Sequence, residues 1–178
     1  MLYRAITSCN KGYGLNAIAY FNLKGDRAME NKHAKRVDIV SIKMVREGST
    51  KYENRKIETP FDAYVLLKNF LEDSDREKLL VVCLDTKNQP INICTVSVGT
   101  LNSSLVHPRE VFKTAILSNS NQIMLAHNHP SGISAPSNED KAMTSRIKDA
   151  GVILGIELID HIIIGSNEYF SFKENKLM

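Results

Sequence analysis

Two histidines two apart, His127 and His129, and an aspartate eleven residues further on, Asp140, are the residues of this chain best suited to chemistry. Imidazole nitrogen and carboxylate oxygen are the donors a borderline cation such as Zn2+ takes. His127 and His129 follow a short apolar run, Gln122 to Ala126, that reads as a buried strand. In extended chain, side chains two apart point the same way, so the two imidazoles form a pincer. Between them and Asp140 come Pro130-Ser131-Gly132 and Ala135-Pro136-Ser137, breaks that let the chain fold back. Ser137 then caps a helix, and Asp140 falls in its first turn, facing the histidines. Each residue alone has an ordinary reading: Ser137 and Asp140 also make a capping box, and Asp140 suits a helix N-terminus. The joint spacing is what points to one metal ion. Three protein ligands leave a fourth position for water, as in catalytic zinc sites, where the pKa of that water falls to about 7.

A hydrolytic site of this kind also needs an acid/base and a group for the oxyanion. Two carboxylates are candidates for the first. Glu77 precedes the apolar run Leu79 to Leu84, and Glu110 lies in the first turn of the helix before the histidine strand. Their ordinary alternatives are a solvated acid in an acidic loop and a helix-dipole carboxylate paired with Arg109 or Lys113. Ser137 is the candidate oxyanion donor, with plain capping as its alternative. His161 sits in an apolar strand-like run and is read as a buried structural histidine, with a supporting place beside the metal as the second reading. His33 and His107 are read as surface residues.

The elements that must position these groups are legible in part. Thr59 caps a helix that begins at Pro60 and is expected to bury Phe61, Val65, Leu66, Phe70 and Leu71. Leu79 to Leu84 and Ile91 to Val98 flank the turn cluster Asp85 to Pro90 and read as a hairpin. Pro108 opens a second helix through about Ser118, with Val111, Phe112, Ala115 and Ile116 inward. A third runs from the Ser137 cap to about Ala150, with Gly151 or Gly155 near its end. Ile156 to Ile164 and Tyr169 to Lys173 read as strands, and so does Val37 to Val45. Leu15 to Leu23 reads as a strand or as part of a flexible extension covering residues 1–36. The sum is an α/β domain over residues 37–178 with a mixed, curved sheet flanked by helices.

Composition sets the outer bounds. At 178 residues, 43% hydrophobic and 24% charged, the chain suits a globular domain with a sizeable core. No apolar run approaches a membrane span, and the first residues lack a secretory signal, so a cytoplasmic location is expected. Cys9, Cys83 and Cys94 are not spaced for metal or disulfide frameworks and are read as reduced and structural. From Lys24 to Lys56, ten Lys/Arg against five Asp/Glu give net +5. That segment suits contact with phosphates or, more simply, a solvated surface.

The motifs together resemble one family. His127-x-His129, seven residues, Ser137, two residues and Asp140 are similar to the JAMM (MPN+) metalloprotease signature. Gly99 to Lys113, Leu125 to Gly132 and Leu158 to Gly165 resemble the RadC branch, in order and over roughly Val37 to Phe172. The resemblance implies a JAB/MPN-like fold related to the cytidine-deaminase layout. It implies one Zn2+ held by His127, His129 and Asp140, with Ser137 as oxyanion helper. It places the acid/base at the start of the strand after the first helix, which is Glu77, with Glu110 second. The implied activity is hydrolysis of an amide bond in a peptide or protein substrate. Longer RadC relatives carry a helix-hairpin-helix module that residues 1–58 do not show, so this reads as a short form. A DNA-associated repair or mobile-element factor, with the domain binding nucleic acid or protein, is the competing reading.

Overall fold

The computed structural model describes residues 37–52, 54–99 and 106–178. The readings made for residues 1–36, including Leu15 to Leu23, Cys9 and His33, lie outside the described residues. So does the part of the family-like motif from Thr100 to Leu105. The chain divides between Ile42 and Lys43. Of the part up to Ile42, the described residues 37–42 form neither helix nor strand. Residues 43–45 form neither as well, so the strand expected from Val37 to Val45 is not there. Apolar residues at strand-like positions make a strand only where a neighbouring chain takes up their backbone groups, and no ladder among the described residues includes this stretch.

Among the described residues from Lys43 onward, five strands and three helices follow in the order α1 (Pro60–Leu71), β1 (Lys78–Leu84), β2 (Pro90–Val98), α2 (Pro108–Leu117), β3 (Gln122–Asn128), α3 (Asn138–Leu154), β4 (Glu157–Ile164) and β5 (Tyr169–Ser171). The sheet order is β2-β1-β3-β4-β5. The β1–β2 hairpin is antiparallel, β1 and β3 are antiparallel, and β4 and β5 are antiparallel. Only β3 and β4 run parallel, which requires a crossover, and α3 supplies it. This is the mixed α/β sheet with flanking helices that the sequence led us to expect. None of the described helices is long and apolar enough to cross a membrane.

Both faces of the sheet are covered. Leu79, Val81 and Cys83 of β1 pack with Ile123 and Leu125 of β3 under α2 and α3. Leu80, Val82 and Leu84 pack with Met124, Ala126, Ile162 and Ile164 under α1. A strand covered on both faces has no use for polar alternation, which is why β1 reads as an unbroken apolar run. Each fully buried leucine here, such as Leu67, stabilises the fold by roughly 1.5–3 kcal/mol relative to an exposed one, and Leu67→Ala would cost about 2–5 kcal/mol.

The helix faces differ from expectation in places. In α1 the inward stripe is Ala63, Tyr64, Leu66, Leu67 and Leu71, while Phe61, Val65 and Phe70 are 56%, 48% and 37% exposed. The i, i+4, i+8 series Ala63, Leu67, Leu71 sets the buried face, and Phe61 and Val65 begin a different row. Phe61 instead leans against Tyr64, with ring centroids 6.0 Å apart. Val111, Phe112 and Ala115 of α2 are buried as read, but Ile116 is exposed. Helix α3 runs on to Leu154 with Gly151 inside it, and stops at Gly155, whose φ of 68° is the left-handed cap.

One irregularity matters for the site. Between β3 and β4 the register passes from Ile123–Leu158 to Met124–Asp160, so Ile159 is one residue extra. Such a bulge shifts the parity of the strand. Leu158 and His161, three residues apart, therefore both face the α2–α3 layer.

Candidate metal centre

His127 is the second-last residue of β3, inside the strand and not beyond it. It pairs across from Leu79 and shares that residue's face, under α3, where its side chain is completely buried. His129 is one residue past the strand end. Its N–H donates to Ile164 O at 3.1 Å, and its carbonyl accepts from Gly132 N at 2.9 Å, which starts the turn back. Asp140 is the third residue of α3. Its Oδ2 accepts from Ser137 N at 2.8 Å, and Ser137 Oγ accepts from Asp140 N at 3.1 Å, a complete capping box. The cap fixes where the helix begins and so where the carboxylate points.

The three groups converge. His127 Nε2 and His129 Nε2 lie 3.0 Å apart, His127 Nε2 is 3.3 Å from Asp140 Oδ1, and His129 Nε2 is 3.4 Å from Asp140 Oδ2. Each residue offers one donor atom, and the three atoms lie within 4.8 Å of one another. The outer ring nitrogens are engaged elsewhere. His129 Nδ1 donates to Ile133 O at 2.7 Å, and His127 Nδ1 meets His161 Nε2 at 2.8 Å. Two imidazoles and a carboxylate, each held from behind and turned toward one point, could hold a metal ion.

The charges of the site follow from position. Burial works against the Asp140 charge, but both imidazoles and the Ser137 hydroxyl outweigh it and hold the carboxyl far below the usual range. His129 lies near the opening, and its bond to Asp140 raises its basicity despite partial burial. His127 shifts the opposite way, because complete burial lowers it more than Asp140 restores it. His161 is lowered well below the ordinary imidazole value by burial and by the neighbouring histidines, and is neutral.

The two candidate carboxylates differ in their surroundings. The Glu77 charge acts on both His127 and His129, favouring their protonated forms. Glu110 is turned to other partners: Lys113 Nζ at 2.5 Å and Arg109 Nε at 3.5 Å, both exposed. Ser137 Oγ donates to Asp140 Oδ2 at 2.6 Å, so its proton is directed at the carboxylate here. His161 is not on the surface of the site but directly behind His127.

Two residues went unread in the sequence. Asn128, buried between the histidines, accepts from Lys78 N at 2.9 Å through Oδ1 and donates to Arg76 O at 3.2 Å through Nδ2. It thus clamps the main chain on both sides of Glu77, whose own carbonyl accepts from Gly99 N at 2.8 Å. The signal was an amide inside an apolar strand, where a polar side chain must find partners. Thr144 is the other. It stands one helical turn after Asp140, on the same face, and touches His161 at 2.7 Å. A groove of about 300 Å³ opens beside His129, lined in part by Ser74, Asn128, Gly132, Ser166 and Asn167.

The family described as RadC-like JAB domain matches residues 57–177. A UPF0758 protein of Desulfitobacterium hafniense (strain DSM 10664 / DCB-2) is 53% identical over 122 residues, covering 68% of this chain and 54% of its own length. One from Chlorobium phaeovibrioides is 42% identical over 166 residues, covering 92% and 74%. One from Pelodictyon phaeoclathratiforme is 41% identical over 179 residues, covering 97% and 81%. The chain spans about half the length of several curated relatives it matches.

Proposed function

This chain belongs to the RadC-like JAB domain family, and on that premise we propose that it is a zinc-dependent hydrolase of amide bonds acting on peptides or proteins. The observation that carries the reading is the convergence of His127 Nε2, His129 Nε2 and one carboxylate oxygen of Asp140 within 4.8 Å, with both outer ring nitrogens engaged elsewhere. When bound there, a zinc ion supplies Lewis acidity and makes water a nucleophile near neutral pH.

The chain's own residues divide the remaining work. Glu77 takes a proton from the attacking water and returns it to the leaving amine. Asn128 serves that step by fixing the main chain at Arg76 and Lys78, so the carboxylate swings from an anchored base. Ser137 orients Asp140, and it donates to the oxyanion once its proton turns from Oδ2 toward the substrate. The groove beside His129 offers backbone and polar side chains to a substrate strand.

The test is a zinc-loaded protein offered a peptide and isopeptide library, with Glu77→Gln beside it. The variant should keep stoichiometric zinc by elemental mass spectrometry and lose turnover by about 10²- to 10⁴-fold. Equal turnover in the variant would remove Glu77 from the chemistry. Zinc absent from the wild-type protein would remove the metal reading altogether.

A further inference from the structure

A histidine can offer Nε2 to a metal only if its single proton sits on Nδ1. For His129 the matter is settled locally, since Nδ1 faces a main-chain carbonyl, Ile133 O, which can only accept. For His127 the partner is another histidine, His161, and an imidazole can either donate or accept. Something further back must decide.

The contacts behind His161 supply the decision. Its Nδ1 lies 2.7 Å from Thr144 Oγ1, and Thr144 Oγ1 lies 2.7 Å from the main-chain oxygen of Asp140. A carbonyl has no proton to give, so the one hydroxyl proton of Thr144 points at Asp140 O. The hydroxyl oxygen must then accept from His161 Nδ1–H. Completely buried, with Phe172 stacked on its face and its two nitrogens against Thr144 and His127, the His161 ring holds a single proton, so its Nε2 is bare and accepts from His127 Nδ1–H. His127 Nε2 is left with its lone pair facing Asp140 and His129. Turning the Thr144 proton toward His161 would reverse every bond and put a proton on His127 Nε2, where a metal must bind.

We propose that Thr144 and His161 are positioning residues that set the tautomer of His127, reading it from the main-chain carbonyl of Asp140. The proposal rests on the metal-centre reading above. The surroundings suit a relay that must not rotate. His161 and Thr144 are 0% and 1% exposed. Phe172 stacks on the His161 ring with centroids 4.8 Å apart and planes at 14°. Asp160 holds the His161 main chain, accepting from its N–H at 2.7 Å, and also accepts from Ser171 Oγ at 2.6 Å and from Lys173 N at 3.0 Å. The relay closes on itself, since one ligand's carbonyl orients another ligand's ring, so the two are presented together.

The experiment uses the full chain with two readouts. Side-chain ¹⁵N spectra of the metal-free protein report which ring nitrogen of His127 carries the proton. Competition with a chelator reports affinity for zinc alone. Wild type should show His127 protonated on Nδ1. Thr144→Val, which keeps shape and removes the hydroxyl, should shift His127 toward the Nε2–H form and weaken zinc by about 10- to 100-fold. Thr144→Ser should restore both to within a few-fold of wild type. A wild-type His127 protonated on Nε2 overturns the proposal without any variant, which covers the case in which Thr144→Val does not fold. Equal zinc loss in the Val and Ser variants, with the tautomer unchanged, also overturns it in favour of packing. If wild type shows the Nδ1–H tautomer yet binds no zinc, the relay stands and the metal reading falls.

Discussion

His127 and His129 are two residues apart and aim at the same point, yet they are held by opposite means. His129 lies past the end of β3, where the chain turns and a main-chain carbonyl, Ile133 O, is spare to receive its Nδ1–H. His127 lies inside β3, flanked by β1 and β4, where neighbouring carbonyls serve the ladders. It must find a side chain, and finds His161, then Thr144. A ligand in a loop can be oriented by the backbone, whereas a ligand in a sheet needs a second layer of side chains. The same contrast sets exposure: the His127 side chain is 0% exposed and that of His129 is 14%.

The largest expected effect falls on the residue the two histidines share. Asp140 reaches His127 through Oδ1 and His129 through Oδ2. Asp140→Asn keeps the shape and removes the charge, and should abolish stoichiometric zinc, a loss greater than the roughly 100-fold upper range for supporting residues. Elemental mass spectrometry of the purified variant checks it, and zinc retained at full occupancy would mean the histidines bind without their common partner.

Removing each histidine in turn separates the two modes of support. Both alanine variants should lose zinc. In metal-free protein, His127→Ala also empties a buried site and leaves His161 without its partner, a cost of about 2–4 kcal/mol. His129→Ala, near the opening, should cost less than about 1 kcal/mol. Urea unfolding of the two variants gives the comparison directly, and equal losses would break it. A smaller effect is expected from the loop alone. A Cβ at Gly165 would collide with Gly132 O, in the turn that carries His129. Gly165→Ala should therefore weaken zinc about tenfold through His129, while the ¹⁵N signature of His127 stays as in wild type.

The legible parts of this molecule were those in which one local rule decides. The Thr59 and Ser137 caps, the unbroken run of β1 and the His127, His129, Asp140 spacing each belong to a short stretch of chain. The failures needed information from elsewhere. Val37 to Val45 has strand-like residues without a ladder among the described residues. The inward face of α1 is not legible locally, because Phe61 and Val65 are as apolar as Leu67, and only the docked sheet chooses between rows. His161 is buried as read, and only its side of the sheet depends on the Ile159 bulge, a feature of two strands in register and not of either sequence. Asn128 and Thr144 are common polar residues whose partners lie 50 and 17 residues away.

The subtlest expectation concerns pH, where the two histidines should again part. In the metal-free protein His129 has its basicity raised by Asp140, and His127 has its basicity lowered by burial. Near neutral pH, zinc should therefore displace a proton from His129 and little or none from His127. Apparent zinc affinity should fall about tenfold per pH unit below the raised His129 value, the slope of one proton. Stability of the metal-free chain should move the other way. A group whose folded value is raised contributes stability that is fully present below its unfolded value, near 6.5, and is lost as pH rises through the folded value. Chelator competition at a series of pH values, with urea unfolding in parallel, gives both curves. A two-proton slope would mean that His127 is also protonated when free, and the distinction between the buried ligand and the loop ligand would fail.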